Sequence, residues 1–310
     1  MRESPLRAKI RPILGYVHSI LNETILRRVG FALVRRAPVD QPIRGPFSPD
    51  TWLIAETPDR LRIWVDVSDW GVSRGCMSGT YEPAETAFVE SHLQAGDCFV
   101  DVGANIGWFT LKAARCVGPT GGVIAVEPRR STYARLAMSI AENGFGDRVE
   151  SHNCALGALA GHSYIGWDDT AGNPGGTWVL TSDDLVQDFR RKGHRLQEAP
   201  VSTLDTLIGE RKVSAIKLDV EGAEGLILRG GIETLRRSRP WILSEINFAL
   251  LPTISKMTAA EYVAFLYSHG YRCHALEDRT LGRELTPASL STGEAWITVV
   301  FVPEENRRTV

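Results

Sequence analysis

The chain contains no Cys-x-x-Cys, and its five cysteines (Cys76, Cys98, Cys116, Cys154 and Cys273) are scattered and odd in number. That pattern excludes a zinc cage and a disulfide framework, and predicts a protein of the reducing cytoplasm. No apolar run reaches the ~20 residues that span a bilayer. The start, Met1-Arg-Glu-Ser-Pro, has neither the apolar segment nor the small-residue site of a secretion signal. A basic surplus is also missing: 35 Lys and Arg stand against 37 Asp and Glu, and the formal charge is −2. Nucleic acid is therefore not an expected partner. The seven histidines form no metal-ligand spacing. Neither Gly-x-Gly-x-x-Gly nor Gly-x-x-x-x-Gly-Lys-Ser/Thr occurs, so both familiar phosphate cradles are excluded.

What is present is the composition of a globular protein, 43% hydrophobic and 23% charged over 310 residues, enough for a large core. Residues 6–36 place Ile10, Ile13, Leu14, Val17, Ile20, Leu21 and Ile25 on one helical stripe flanked by arginines. Packing of that stripe on the body of the protein is the first expectation. Contact with an anionic membrane surface or a partner is the second. Prolines in 37–49 mark a linker, which divides the chain into an N-terminal helical extension (1–50) and a main domain (51–310). The oligomeric state is open, with a homo-oligomer as one outcome.

Within the main domain, residues 51–80 predict short strands ending in turns at Gly71, Gly75 and Gly79, followed by a helix over 83–94. Strands are predicted at 98–102, 122–126, 148–154, 215–220 and 241–246, with helices at 131–143 and 222–238. This alternation reads as an α/β fold whose mostly parallel sheet is covered on both faces. A helix near 258–269 precedes two runs, 271–277 and 294–302, expected to pair antiparallel at an edge. The rhythm breaks at 157–200, a polar, Gly- and Trp-containing stretch that reads as a lid or substrate insertion.

The segment Cys98-Phe-Val-Asp-Val-Gly-Ala-Asn-Ile-Gly-Trp108 is a strand that turns on glycines into a helix. Such a turn brings backbone N–H groups against a ligand. Asp101, before Gly103 and Gly107, would repel a pyrophosphate and favour a cationic amine. Asn105 tolerates a left-handed backbone and offers an amide. Glu127 closes the next strand, where an acid can accept both hydroxyls of a ribose. Asn153, ending the third strand, is placed either to read a base edge or to form a turn. A nucleoside carrying an amino acid, S-adenosylmethionine, fits this set.

Gly-Thr-Tyr-Glu-Pro (79–83), Val-Asp-Val-Gly-Ala-Asn-Ile-Gly-Trp-Phe-Thr (100–110), Val-Glu-Pro (126–128), Ser-Thr-Leu-Asp-Thr-Leu (202–207), Ile-Lys-Leu-Asp-Val-Glu-Gly-Ala-Glu (216–224) and Arg-Pro-Trp-Ile-Leu-Ser-Glu (239–245) occur in order. The series resembles the FkbM family of S-adenosylmethionine-dependent methyltransferases over residues 60–247. The resemblance implies a class I methyltransferase fold, Rossmann-like and doubly wound, with seven strands and an antiparallel edge hairpin. It also implies O-methylation of sugars, glycolipids or polyketide-type natural products. A non-catalytic adaptor, cofactor-binding or cofactor-free, docked on a biosynthetic complex through the N-terminal helix is the alternative.

Methyl transfer to a hydroxyl needs alignment and a proton acceptor or a metal. The strands ending in Asp219 and Glu221 and in Glu245 border the same crevice, which makes these three acids the catalytic candidates. Their uses are general base, substrate orientation, or a Mg²⁺ site of Asp219, Glu245 and Asn247. Lys217 is expected to pair with one of the acids, and Glu224 and Thr203 to cap helices. Tyr81 and Glu82 either close over the cofactor or start the helix at Pro83. Trp167 and Trp178 offer aromatic platforms for substrate, and Trp108 packs under the turn.

Overall fold

The computed structural model describes residues 52–66, 69, 71–168, 176–290 and 295–305. The amphipathic stretch at 6–36 and the linker lie outside them. The chain opens with an antiparallel hairpin of β1 (Trp52–Glu56) and β2 (Arg62–Asp66). Two helices follow, α1 (Val72–Ser78) and α2 (Pro83–His92). The first replaces the turns expected from Gly75 and Gly79. Gly75 sits inside the helix because a Cβ there would lie 2.9 Å from that of Tyr81. Only Gly79, at φ +72°, ends it as a left-handed cap.

From there β3 (Cys98–Val102), α3 (Trp108–Val117), β4 (Gly122–Val126), α4 (Arg130–Glu142) and β5 (Val149–His152) alternate. The insertion then forms its own four-stranded sheet, ordered β6-β9-β7-β8. Its strands are β6 (Ala155–Leu156), β7 (Gly161–Trp167), β8 (Thr177–Leu180) and β9 (Arg195–Ser202), with α5 (Asp183–Arg191) between the last two. The chain returns through α6 (Leu204–Ile208), β10 (Ala215–Leu218), α7 (Glu224–Arg229), α8 (Ile232–Ser238), β11 (Trp241–Asn247), α9 (Leu250–Ile254) and α10 (Ala259–Ser268). Strands β12 (Tyr271–Glu277), β13 (Thr280–Glu284) and β14 (Trp296–Pro303) complete it.

The expected single helix over 222–238 is two, broken at Gly230-Gly231. A Cβ on Gly230 would lie 2.2 Å from the carbonyl oxygen of Gly157, so the break lets the start of the insertion approach. Asp205 then caps the second piece, accepting from the amides of Glu233 and Thr234 at 3.1 and 2.7 Å.

The main sheet runs β13-β12-β14-β11-β10-β3-β4-β5. Five strands are parallel, and β14 enters antiparallel between β11 and β12. The fold is the expected doubly wound one, with eight strands in this sheet rather than seven. The added edge strand β13 hairpins back from β12 through Asp278 and Arg279, both at positive φ (44° and 83°). The central parallel strands β3, β4, β10 and β11 are largely apolar on both sides because both faces are covered, whereas the edge strand β5 (Val-Glu-Ser-His) is mostly polar. Val100, Val102, Ile216 and Leu218 pack on one face, and Phe99, Val123, Ala125 and Leu243 on the other. By the same alternation Asp101 and Lys217, register partners across β3 and β10, share the second face. Among the described residues no helix is long and apolar enough to cross a membrane.

Candidate active site

The ends of β3, β4, β10 and β11 surround a cavity of about 600 Å³, roofed by β8 of the insertion. The turn after β3 is pinned from both sides. The amides of Gly103 and Ala104 donate to the carbonyl of Val126 at 3.0 Å each, and Asn105 N–H donates to Glu127 Oε2 at 3.1 Å. Gly103 (φ +82°) has no room for a side chain, since a Cβ would lie 2.0 Å from the carbonyl oxygen of Asp219. Gly103→Ala is therefore expected to cost at least about 2 kcal/mol, because both crowded groups are backbone. Urea unfolding reads this, and a midpoint equal to the parent's would contradict it.

Glu127 is 5% exposed, and its other oxygen accepts from Arg129 N–H at 2.8 Å. Burial raises its carboxyl to about pH 7 despite these two donors. Gly103, Asn105 and Glu127 all line the cavity.

Three of the residues expected at the cofactor do not line it, and this corrects their roles. Asp101 is fully buried below the turn and accepts from Thr110 Oγ1 at 2.6 Å. Gly107 (φ +101°) starts α3, where a Cβ would lie 2.8 Å from Leu136 Cδ1. Asn153 donates through Nδ2 to the carbonyls of Glu127 and Pro128, at 2.9 and 3.1 Å, and so braces the loop that holds Glu127. Its neighbours Cys154 and Ala155 reach the cavity in its place.

On the other side of the cavity Asp219, Glu221 and Glu245 come together as expected, joined by Glu82 and Lys217. Glu82 sits at φ +40° as the N-cap of α2, so a strained residue aims a carboxylate inward. The Gly-Thr-Tyr-Glu-Pro motif was the sequence signal for it. Lys217, 4% exposed, lies 2.8 Å from Asp219 Oδ2, 3.9 Å from Glu82 Oε2 and 4.4 Å from the Phe109 ring centre. Burial pulls its ammonium down, but the charges of Asp219, Glu82 and Asp101 more than offset this and hold it above the usual lysine range.

Glu221 (φ +53°) and Glu245 have no side-chain hydrogen bond or ion pair among the described residues. Burial and then the charge of Asp219 raise Glu221 to about 7. Glu245 is raised to about 8, first by burial and then by Asp219, Glu221 and Glu82, so it feels every other acid of the group. Glu224 is different: it is 1% exposed, lies outside the cavity, and accepts from the amides of Val220 and Gly222 at 3.3 Å.

The tryptophans separate. Trp178 lines the cavity, whereas Trp167 does not; its ring lies 4.3 Å from the Arg129 guanidinium on the outer side. The register explains this: Trp167 faces Thr177 across the pair, so Trp178, one residue on, points to the opposite face of the insertion sheet. Trp108 is 3% exposed and donates to Thr86 Oγ1 at 2.8 Å, packed under the turn.

The proposed Mg²⁺ set does not form. Asn247 Oδ1 accepts from the amides of Ala249 and Leu250, at 3.1 and 3.0 Å, and starts α9. Among the described residues no three His, Cys, Asp or Glu side chains are arranged around a metal position.

The chain matches the model of the FkbM methyltransferase domain over residues 101–273. It is 30% identical over 144 residues to Methyltransferase 1 of Beauveria bassiana (strain ARSEF 2860), covering 42% of this chain and 57% of that protein. It thus spans just over half the length of that relative. Among solved structures it resembles an FkbM methyltransferase from Methylobacillus flagellatus KT, at 17% identity and a TM-score of 0.42, over 67% of this chain and 43% of that one. An S-adenosylmethionine-dependent O-methyltransferase from Thermotoga maritima is similar at 12% identity and a TM-score of 0.42, over 86% and 98% of the two chains. With a family match that spans more than half of its length, the chain belongs to the FkbM methyltransferase-domain family.

Proposed function

We propose that this chain is an S-adenosylmethionine-dependent O-methyltransferase whose acceptor is a hydroxyl of a sugar, a glycolipid or a polyketide-type natural product. The observation that carries the reading is the division of one cavity into two halves, Glu127 on one side and the Glu245 group on the other. The residues present fit the nucleoside. Each Glu127 oxygen accepts one backbone N–H and retains capacity for a further donor, as a ribose diol requires. The volume suits a nucleoside and part of an acceptor. When bound, S-adenosylmethionine supplies a methyl group on a cationic sulfur, which keeps the C–S electron pair as the acceptor oxygen takes the methyl.

The protein's part is positional and acid–base. Glu245 takes the proton of the acceptor hydroxyl, because its carboxyl is unencumbered and titrates near working pH. Asp219, held by Lys217, is a fixed anion that orients the acceptor and keeps Glu245 basic. Glu221 hydrogen-bonds a neighbouring hydroxyl, and Trp178 offers an apolar face to the ring. Several carboxylates against one committed ammonium suit a neutral polyol better than an anionic acceptor at this end. The residues do not fit Mg²⁺, and no step passes through a metal.

Isothermal calorimetry with S-adenosylmethionine, followed by labelled methyl transfer onto glycolipid and metabolite extracts, tests the reading. We expect binding, and transfer that persists in excess chelator. A folded chain that does not bind the nucleoside overturns the enzyme reading in favour of the adaptor.

A further inference from the structure

The acceptor half of the cavity continues past Glu245 to a pair of residues that the methyl transfer itself does not use. Strands β11 and β14 pair antiparallel, with Glu245 opposite Thr298 and Asn247 opposite Trp296. Residues two apart in a strand share a face, so all four stand on the same side of the sheet, and all four line the cavity. We propose that Asn247 and Trp296 form an outer acceptor subsite that holds a second sugar ring, joined to the ring whose hydroxyl is methylated. This rests on the O-methyltransferase reading above and narrows its acceptor to a glycoside of at least two rings.

Trp296 is 61% exposed. A single exposed apolar residue means little by itself. Among the described residues the exposed large hydrophobic side chains are Leu53, Leu159, Tyr164 and Trp296, and of these Trp296 alone lines the cavity. An indole left in water beside an active site is a flat apolar surface open to a ligand. Its place relative to the base is set by the register. Glu245 and Trp296 are diagonal neighbours across the strand pair, with backbones roughly 7–8 Å apart. The reacting hydroxyl must touch Glu245, so Trp296, one row further along the strand, meets the part of the acceptor that lies beyond that ring. Thr298 in the inner row is already engaged, since its Oγ1 donates to Glu85 Oε1 at 2.9 Å.

Asn247 identifies what that part is. Its Oδ1 accepts from the amides of Ala249 and Leu250, at 3.1 and 3.0 Å, and these two donors fix which way the side-chain amide is turned. The Nδ2 hydrogens have no partner among the described residues. The outer row therefore sets an apolar plane beside a fixed pair of donors. A sugar ring has the matching character, with C–H groups on its faces and hydroxyl oxygens around its edge. An alkyl chain laid over the same row would leave the Asn247 donors covered and unpaired, at a cost of about 1–3 kcal/mol. A phosphate or carboxylate would be repelled by Asp219, Glu221 and Glu245, which line the same half of the cavity.

The test uses the full chain saturated with S-adenosylhomocysteine, so that only the acceptor half is open. Methyl glucoside, cellobiose, lactose and maltose are titrated by calorimetry into the parent, Trp296→Ala and Trp296→Phe. We expect at least one disaccharide to bind the parent about fivefold or more tighter than methyl glucoside does. That gain should vanish in Trp296→Ala and largely persist in Trp296→Phe, which keeps a flat ring. Affinity for S-adenosylhomocysteine should be equal in all three proteins, which shows that the variants are folded and the nucleoside half is intact. No gain from the second ring in the parent, a gain that survives Trp296→Ala, or a gain lost equally in both variants overturns the outer subsite. A parent that does not bind S-adenosylhomocysteine overturns the methyltransferase reading instead, and the subsite with it.

Discussion

Glu245→Gln is expected to lower kcat by about 10²–10⁴ while making the folded protein more stable in alkaline solution. The two effects have one origin. Burial and the charges of Asp219, Glu221 and Glu82 lift this carboxyl to about 8, from an ordinary 4.5. As a base it works only when ionised, so the parent's kcat should climb with pH and level off above about 8. The amide cannot take the proton, and the climb should vanish with it. For stability the sign is opposite. The folded state binds the Glu245 proton more tightly than the unfolded chain does, so the stabilisation is complete below 4.5 and is lost as pH rises through about 8. Glutamine has no charge to bury and escapes that loss. A pH–rate profile and thermal melts at pH 5 and 9 measure both. A variant with parental kcat, or one that loses stability between these pH values as steeply as the parent, would sink the assignment.

Lys217→Met should cost roughly 3–5 kcal/mol of stability, which lowers Tm by on the order of 10 °C. Methionine fills the same space and keeps the contact with Phe109, so the loss is electrostatic. Without the ammonium, the Asp219 and Glu82 carboxylates face each other over fully buried Asp101 with no cation beside them. Leaving buried charges unpaired is far costlier than the pair itself is worth. The acids would respond by holding their protons to higher pH, and the residual activity should rise at more alkaline pH than in the parent. Circular-dichroism melts and the pH–rate profile check this. An unshifted Tm would mean that solvent already screens the cluster.

The main strands are legible because their pattern is local. Short apolar runs with an acid in or just after them specify β3, β4, β10 and β11 without reference to the rest of the chain. The convergence of Asp219, Glu221 and Glu245 follows from topology once those strands are parallel. What escapes depends on partners far along the sequence. Strand β13 has no Gly or Asn at its turn; Asp278 and Arg279 take positive φ under tertiary control. Gly75 reads as a turn residue, yet it serves packing against Tyr81. Asn153 and Gly107 look like ligand contacts, but each spends its geometry on a neighbouring loop or helix. Trp167 and Trp178 are indistinguishable by composition, and only the pairing register separates an outward ring from an inward one. Glu82 reaches the site because α2 packs on α3, a contact that no window of sequence around it encodes.

The insertion sheet bears on how such enzymes could be rebuilt. Val201 pairs with Ala155 of β6 on one side and with Gly161 of β7 on the other. The edge strand β6, which lines the cavity near Glu127, and β8, which carries Trp178, therefore belong to one hydrogen-bonded unit. A graft of residues 157–200 alone would cut β9 between Pro200 and Val201, leaving β6 paired with the host's end of that strand while β7 and β8 came with the graft. The transplantable cassette is instead 155–202, with both seams falling where the chain leaves the small sheet. A new acceptor specificity would then arrive with its own border to the nucleoside, inherited as a single block.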